Sequence, residues 1–129
     1  MAERQLKSTA PVFLVDDVAA SSAYYRDVLG FRFDRLWGEP PSFSMPERDG
    51  VVIMLKQTVP PGAARPNHTL ISEIWDAYIW VRDLDALLAE LRDRGANVTR
   101  GPEDMLYGCR EIDVEDCNGY RLCFGQTPE

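Results

Sequence analysis

The sequence is short of the residues that would point to several function classes. It has three cysteines, Cys109, Cys117 and Cys123, and no CxxC pair. That excludes a tight disulfide framework and fits reduced thiols in a cytoplasm. Its single histidine, His68, lies beside a proline-rich stretch. The longest apolar runs, such as residues 12–15, are far shorter than the roughly 20 residues that span a bilayer.

Positive charge is also in the minority. Lysine and arginine number 14 against 21 aspartates and glutamates, which gives a net charge of -7. An acidic chain is repelled by phosphate backbones and anionic lipid, so no nucleic-acid or membrane partner is expected. The charge would favour a cationic partner, although solubility alone explains many acidic proteins. Residues 1–7 lack the apolar core of a secretory signal, so a cytoplasmic location is expected.

An internal repeat organises the chain. Val15-Asp16-Asp17 returns 66 residues later as Val81-Arg82-Asp83, and Asp49-Gly50 returns 69 residues later as Asn118-Gly119. A composition that is 45% hydrophobic and 27% charged is typical of a folded globular protein. The repeat therefore predicts one domain made of two similar modules. Its predicted parts are module one at about 8–57, a linker at 58–70 and module two at about 71–126.

Each module is predicted to read strand, helix, strand, strand, strand, which is an α+β fold. Asp17 and Asp83 are favoured N-cap residue types, and Gly30 and Gly95 are favoured just beyond a helix end, so one helix is expected in each interval. Asp49-Gly50 and Asn118-Gly119 predict hairpin turns. Strands are predicted at 11–15, 31–37, 42–45, 51–55, 77–81, 97–100, 110–114 and 120–124.

Two groups of residues then carry a family resemblance. Residues 13–31, with Val15-Asp16-Asp17 and Leu29-Gly30-Phe31, look like a first-module signature. Residues 107–126, with Tyr107-Gly108-Cys109-Arg110-Glu111 and Asn118-Gly119, look like a second-module ending. Together they resemble the vicinal oxygen chelate superfamily of glyoxalase I, extradiol dioxygenases, fosfomycin-resistance enzymes and bleomycin-resistance proteins. The resemblance implies two tandem βαβββ modules whose mixed sheet curls around a cleft.

The resemblance also implies four metal-ligand positions, which fall on Ala10, Met54, Asp76 and Cys123. Ala10 offers no donor atom, and the Met54 thioether is a weak ligand for hard or borderline ions. Asp76 and Cys123 would supply half a coordination shell at best. We therefore expect no metal, no cofactor and no metal-dependent enzyme. The alternative is a glyoxalase-type lyase, isomerase or transferase whose shell is completed by water or a partner subunit.

Alternation along strands predicts what would line the cleft, because residues two apart share a face. Tyr78 and Trp80 share a face with Asp76, and Arg121 shares one with Cys123. Aromatic faces beside a carboxylate suit a flat or cationic small molecule. The competing interpretation is that Tyr78 and Trp80 fill a closed core, as they would in a small dimeric interaction module that binds no ligand.

The bleomycin-resistance branch implies a metal-free homodimer that sequesters a cationic, planar-tailed drug at the subunit interface. Tyr107 stands where that branch has a stacking tryptophan, although the inserted residue Cys109 departs from the branch's pattern. Trp37 and Phe43 are candidates for the aromatic wall on the opposite side of the ligand. We therefore expect a cytoplasmic homodimer that binds a small cationic or aromatic molecule. The predicted ligand-binding residues are Trp37, Phe43, Met54, Asp76, Tyr78, Trp80, Tyr107, Arg121 and Cys123.

Overall fold

Each half of the chain has one strand, then a helix, then further strands, of which the first half has four short ones and the second half the three that were predicted. The computed structural model describes residues 4–59, 62 and 64–128, and within those residues it has two α-helices and nine strands. The first half holds β1 (Val12–Val15), α1 (Val18–Asp27), β2 (Phe43–Ser44), β3 (Glu47–Arg48), β4 (Val51–Val52) and β5 (Met54–Gln57). The second half holds β6 (Ala77–Trp80), α2 (Leu84–Asp93), β7 (Asn97–Asp104), β8 (Arg110–Glu115) and β9 (Arg121–Gln126).

The two halves repeat one unusual strand pairing. In the first sheet, ordered β1-β5-β2, β1 runs parallel to β5 with Val12 opposite Met54. In the second sheet, ordered β6-β9-β8-β7, β6 runs parallel to β9 with Tyr78 opposite Cys123. The remaining pairs are antiparallel, and β3 with β4 forms a separate hairpin. Both sheets stay open, and the predicted α+β fold of two tandem modules is confirmed.

The helix starts are duplicated as well. The side chains of Asp17 and Asp83 each accept the backbone N–H three residues ahead, at 2.9 and 3.1 Å, as the N-cap prediction requires. A second hydrogen bond at the helix start is also repeated in both modules. Gln57 and Gln126, at the ends of β5 and β9, accept the first N–H of the neighbouring helix at 3.0 and 2.7 Å. Each module's last strand therefore holds the start of its own helix.

The prediction of a strand at 31–37 is wrong. All of these residues lie in the described part of the chain, and they form no regular strand. The segment makes only isolated bridges, from Arg32 to Glu47 and from Trp37 to Phe43. The chain reverses only after Trp37, where Gly38 adopts a positive φ of 95° and the backbone N–H of residue 42 donates to the Trp37 carbonyl at 2.8 Å. The strand predicted at 51–55 is divided at residue 53, and β7 runs four residues beyond the predicted end.

Some predictions fall on residues outside the described ranges. These are residues 60, 61 and 63 of the predicted linker and residues 1–3 of the segment weighed as a secretory signal. Within the described ranges, no helix is long and apolar enough to cross a membrane.

The core lies where the helices pack on the two sheets. On β1 the buried positions alternate, so that Phe13 and Val15 face inward. On β8 the four central residues are all buried, and the two apolar ones, Ile112 and Val114, belong to the core. Tyr120 stacks on Phe13 with ring centroids 4.3 Å apart and joins the two halves. The core consists of Phe13, Val15, Val18, Tyr25, Leu29, Phe31, Ile53, Leu55, Leu84, Leu88, Leu91, Ile112, Val114, Tyr120, Leu122 and Phe124.

Candidate ligand-binding face

The side of the second sheet that points away from α2 carries most of the chemistry-bearing side chains. Ile112 and Val114 of β8 enter the core, so the alternate residues of that strand point the other way. We call this side the open face. Its central residues are Tyr78 and Trp80 of β6, Glu111 and Asp113 of β8, and Cys123 of β9.

Three aromatic rings form a row along the β6 edge of the open face. Tyr78 lies between Trp75 and Trp80, with centroid distances of 5.1 and 4.9 Å and tilted or edge-on geometry. Trp80 is 68% exposed and lies outside the core cluster. A strand tryptophan that fills a closed core would be buried, so Trp80 is available for contact with another molecule.

The position of Tyr78 depends on Gly125 of the neighbouring strand. Tyr78 lies on β6 and its hydroxyl reaches Glu111 on β8, so its ring crosses β9, which runs between them. A Cβ atom at Gly125 would lie 2.6 Å from Cζ of the Tyr78 ring and would overlap its hydroxyl. Only glycine leaves room for the ring to lie across the sheet.

Glu111 is fully buried beneath these rings. Its Oε2 accepts hydrogen bonds from the hydroxyls of Tyr78 at 2.7 Å and Tyr107 at 2.6 Å. Its Oε1 accepts from Nη2 of Arg100 at 2.8 Å. Burial opposes the charge, but the hydrogen bonds from Tyr107, Arg100 and Tyr78 outweigh it and hold the pKa of Glu111 below its usual value. The side chain is therefore a carboxylate at neutral pH.

Arg100 links Glu111 to a second buried carboxylate. Its Nε and Nη2 donate to the two oxygens of Asp113 at 2.8 and 2.9 Å, and its Nη1 donates to Glu103 at 2.7 Å. The bond to Asp113 is the main cause that raises the pKa of Arg100, so the guanidinium stays charged. Three carboxylates surround one guanidinium, and the cluster is negative overall.

A cavity of about 530 Å³ opens beside this cluster, within the size range of small-molecule pockets. Its lining residues are Glu73, Trp75, Thr99, Arg100, Glu103, Met105, Asp113 and Arg121. A larger groove of about 690 Å³ lies between the β3–β4 hairpin and α2, with Trp80 among its lining residues. In this groove Arg48 forms an ion pair with Glu90 at 2.7 Å, which links the two halves of the chain. Of the predicted ligand-binding residues, only Trp80 lines the groove.

The four family metal-ligand positions do not fit a metal. Both carboxylate oxygens of Asp76 accept backbone N–H groups, from Asn67 and Arg121, at 2.8 Å each. Cys123 is buried, and desolvation followed by the nearby carboxylate charges raises the pKa of its thiol. Met54 and Ala10 bring no hard donor. Across the described ranges, no three His, Cys, Asp or Glu side chains are grouped so that they could hold a metal ion.

The structure brings only part of the predicted ligand-binding set together. Tyr78, Trp80, Tyr107 and Cys123 lie on or beside the open face, with Asp76 and Arg121 at its edge. Arg121 donates to Glu115 at 3.0 Å. The other three predicted residues, Trp37, Phe43 and Met54, belong to the first half of the chain.

The first-half aromatics form a separate group. Trp37 and Phe43 pack on each other with centroids 5.7 Å apart. Within the described part of the chain, no aromatic ring pair joins them to the Trp75–Tyr78–Trp80 row. Met54 lies on β5 opposite Val12, also in the first half.

Five residues of the aromatic row and the carboxylate cluster escaped sequence reasoning: Trp75, Arg100, Glu103, Glu111 and Asp113. A signal for the last two was present, because the sequence Arg-Glu-Ile-Asp-Val-Glu at 110–115 alternates acidic and apolar residues. On a strand that pattern places the acidic side chains on one face. No comparable sequence pattern marked Trp75 or Arg100. Arg100 lies on β7 and reaches the site only through the pairing of β7 with β8, which a local pattern does not show.

The paired open sheets, with the first and last strands of each module parallel, define a protein of the vicinal oxygen chelate type. The model of the Glyoxalase/Bleomycin resistance protein/Dioxygenase superfamily matches residues 7–124, and the chain belongs to that superfamily. The resemblance inferred from the sequence motifs is thereby confirmed. No curated protein matches the chain in sequence.

Three solved structures illustrate the shared fold, and the second and third of them are antibiotic-binding proteins. TioX from Micromonospora sp. ML1 has a TM-score of 0.73 and 18% identity, covering 95% of this chain and 99% of its own. The bleomycin-binding protein of bleomycin-producing Streptomyces verticillus, solved with copper(II)-bleomycin, has a TM-score of 0.68 and 24% identity, covering 98% and 99%. TnmS3, an antibiotic-binding protein from Streptomyces sp. CB03234, has a TM-score of 0.65 and 20% identity, covering 97% and 100%.

Proposed function

We propose that the protein is a metal-independent binding protein that sequesters a small planar molecule, aromatic or cationic, on the open face. The observation that carries the proposal is the exposed ring of Trp80, in a row with Tyr78 and Trp75, beside a buried carboxylate cluster. Neighbours of the same fold that bind bleomycin or other antibiotics support ligand binding as the role.

The chemistry of the face favours binding over catalysis. Aromatic rings give a flat ligand contact area at low cost in conformational entropy, and their faces attract cations. The carboxylates of Glu111 and Asp113 are already fully engaged by Arg100 and by tyrosine hydroxyls, which leaves no free general base there. The raised pKa of the Cys123 thiol makes it a poor nucleophile. The face can hold and orient a ligand without transforming it.

We propose further that a second copy closes the site as a homodimer in the cytoplasm. β1 and β6 are edge strands, and the side chains of Val12 and Leu14 on β1 are 55% and 44% exposed. Such apolar edge surface is typical of an interaction site. A partner's Trp37 and Phe43 pair would then supply the opposing wall, which explains why the two aromatic groups stay apart within one chain.

Replacing Trp80 with alanine tests this proposal. Loss of one stacking ring should weaken binding of a planar ligand, drawn from a panel of aromatic and cationic drugs, by about tenfold. Stability should change by less than about 1 kcal/mol, since the side chain is mostly exposed. Titration by tryptophan fluorescence or calorimetry measures the first quantity, and thermal unfolding measures the second.

The matched control is Val59→Ala, another exposed apolar side chain, which should alter neither quantity. A Trp80→Ala protein that binds as well as the wild type would contradict the proposal. So would a loss of stability of about 3–5 kcal/mol, the size expected for a buried aromatic.

A further inference from the structure

Three separate elements meet at one oxygen atom of the open face. Tyr78 comes from β6, Tyr107 from the turn between β7 and β8, and both hydroxyls donate to Oε2 of Glu111 on β8. Arg100 on β7 holds the other carboxylate oxygen at 2.8 Å and is itself fixed by two bonds to Asp113. The Glu111 carboxylate therefore has one orientation, and both phenol hydroxyls are set by it.

Packing alone does not require the Tyr107 bond. Tyr107 is 59% exposed, so its ring adds little to the core, and water could satisfy its hydroxyl. Its turn is already closed by two backbone hydrogen bonds between Met105 and the residues at 108 and 109, at 2.9 and 2.8 Å. A fully buried carboxylate that reaches out to an exposed ring fixes where that ring points.

We propose that Glu111 is a positioning residue that sets the specificity of the binding face. Resting on the proposed function, the inference is that Glu111 holds the Tyr78 and Tyr107 rings in place and makes them prefer a positively charged planar group over a neutral one of the same shape. Arg100 acts through Glu111 by orienting its carboxylate.

The preference follows from the hydrogen bonds. A phenol that donates to a carboxylate gains electron density on its ring, and a more negative ring face attracts cations more strongly. The Glu111 carboxylate already accepts hydrogen bonds from Arg100, Tyr78 and Tyr107. A ligand therefore contacts the tyrosine rings and not the carboxylate. Glu103 and Asp113 offset the charge of Arg100, so the face stays negative.

A pair of probes with the same ring system tests the inference. N-methylacridinium is permanently cationic, and acridine at mildly alkaline pH is neutral. The wild-type protein should bind the cation more tightly. Tyr107→Phe keeps the ring and removes the hydroxyl, so it should weaken binding of the cation about five- to tenfold and of acridine less than about twofold.

Tyr24→Phe is the matched control, since the Tyr24 hydroxyl on α1 donates to the backbone of residue 115 at 3.3 Å, away from the rings. It should leave the ratio of the two affinities unchanged. Tyr107→Phe is used because Glu111→Gln would leave Arg100 short of a buried partner and could fail to fold.

The outcomes separate the two proposals. If wild type binds both probes but Tyr107→Phe leaves the ratio of affinities unchanged, the role of Glu111 is overturned and ligand binding stands. The same holds if the variant weakens both probes equally, which a merely structural role of Tyr107 would produce. If wild type binds neither these probes nor the drug panel, the proposed function fails and this inference fails with it.

Discussion

Single residues of the open face are explained by what they touch. Glu111 can be charged and fully buried because three donors share its two oxygens. Gly125 must be glycine because the Tyr78 ring crosses it. Strand alternation was enough to place Tyr78 and Trp80 on one face. It could not show the partners of Glu111, because they come from strands and a turn that are distant in sequence.

Tyrosine ionisation gives a residue-scale prediction. All five tyrosines have pKa values above the ordinary 10, through burial for Tyr24, Tyr25, Tyr78 and Tyr120 and chiefly through the Glu111 bond for Tyr107. The pKa values of Tyr24 and Tyr107 rise to about 12. Since folding favours the neutral phenols, their contribution to stability is complete below pH 10 and is lost as pH rises through the folded-state values.

Alkaline titration followed by tyrosinate absorbance and circular dichroism measures this effect. We expect little ionisation until well above pH 10, and then ionisation together with unfolding. In denaturant the same tyrosines should titrate near pH 10. Five tyrosines that ionise near that value in the folded protein would contradict the hydrogen-bonded cluster.

At the scale of helices and strands, local sequence patterns predicted some elements and missed others. Asp17 and Asp83 marked both helix starts, because an N-cap is a local contact. The strand expected at 31–37 did not form, because the segment pairs with other strands only at two isolated bridges, and such long-range pairing cannot be read from a local pattern. The glutamine caps were missed since each one joins a strand end to a helix that lies about 40 residues away in the sequence.

The duplicated caps make an element-scale prediction. Gln126→Ala removes the acceptor for the Leu84 N–H at 2.7 Å and should lower the free energy of unfolding by about 1 kcal/mol. Gln57→Ala should have a similar effect on α1. Chemical denaturation gives the energies, and amide exchange at residue 84 reports the freed donor. Gln5→Ala, in the exposed N-terminal segment, is the control and should change nothing.

A variant with an unchanged free energy of unfolding and an unchanged exchange rate at residue 84 would contradict the capping role of Gln126. A much larger loss from Gln126→Ala than from Gln57→Ala would contradict the equivalence of the two modules.

At the scale of the whole molecule, duplication accounts for the fold. The repeat and its motifs were sufficient to predict the α+β fold and the superfamily. They could not show which predicted residues lie together. The predicted ligand-binding set combined Trp37 and Phe43 with Tyr78 and Trp80, but within one chain the Trp37–Phe43 pair is separate from the Trp75–Tyr78–Trp80 row. The second copy proposed above would bring the two groups together across its interface.

The three tryptophans provide the most direct test of metal-free binding on the open face. Their indole N–H signals, resolved by nuclear magnetic resonance of isotope-labelled, chelator-treated protein, report on Trp37, Trp75 and Trp80 separately. Titration with N-methylacridinium or another bound member of the drug panel should shift the signals of Trp75 and Trp80, and that of Trp37 as well if a partner supplies the opposing wall. Indole signals that stay unmoved until Zn²⁺ or Ni²⁺ is added would contradict the account and favour a metal-dependent enzyme.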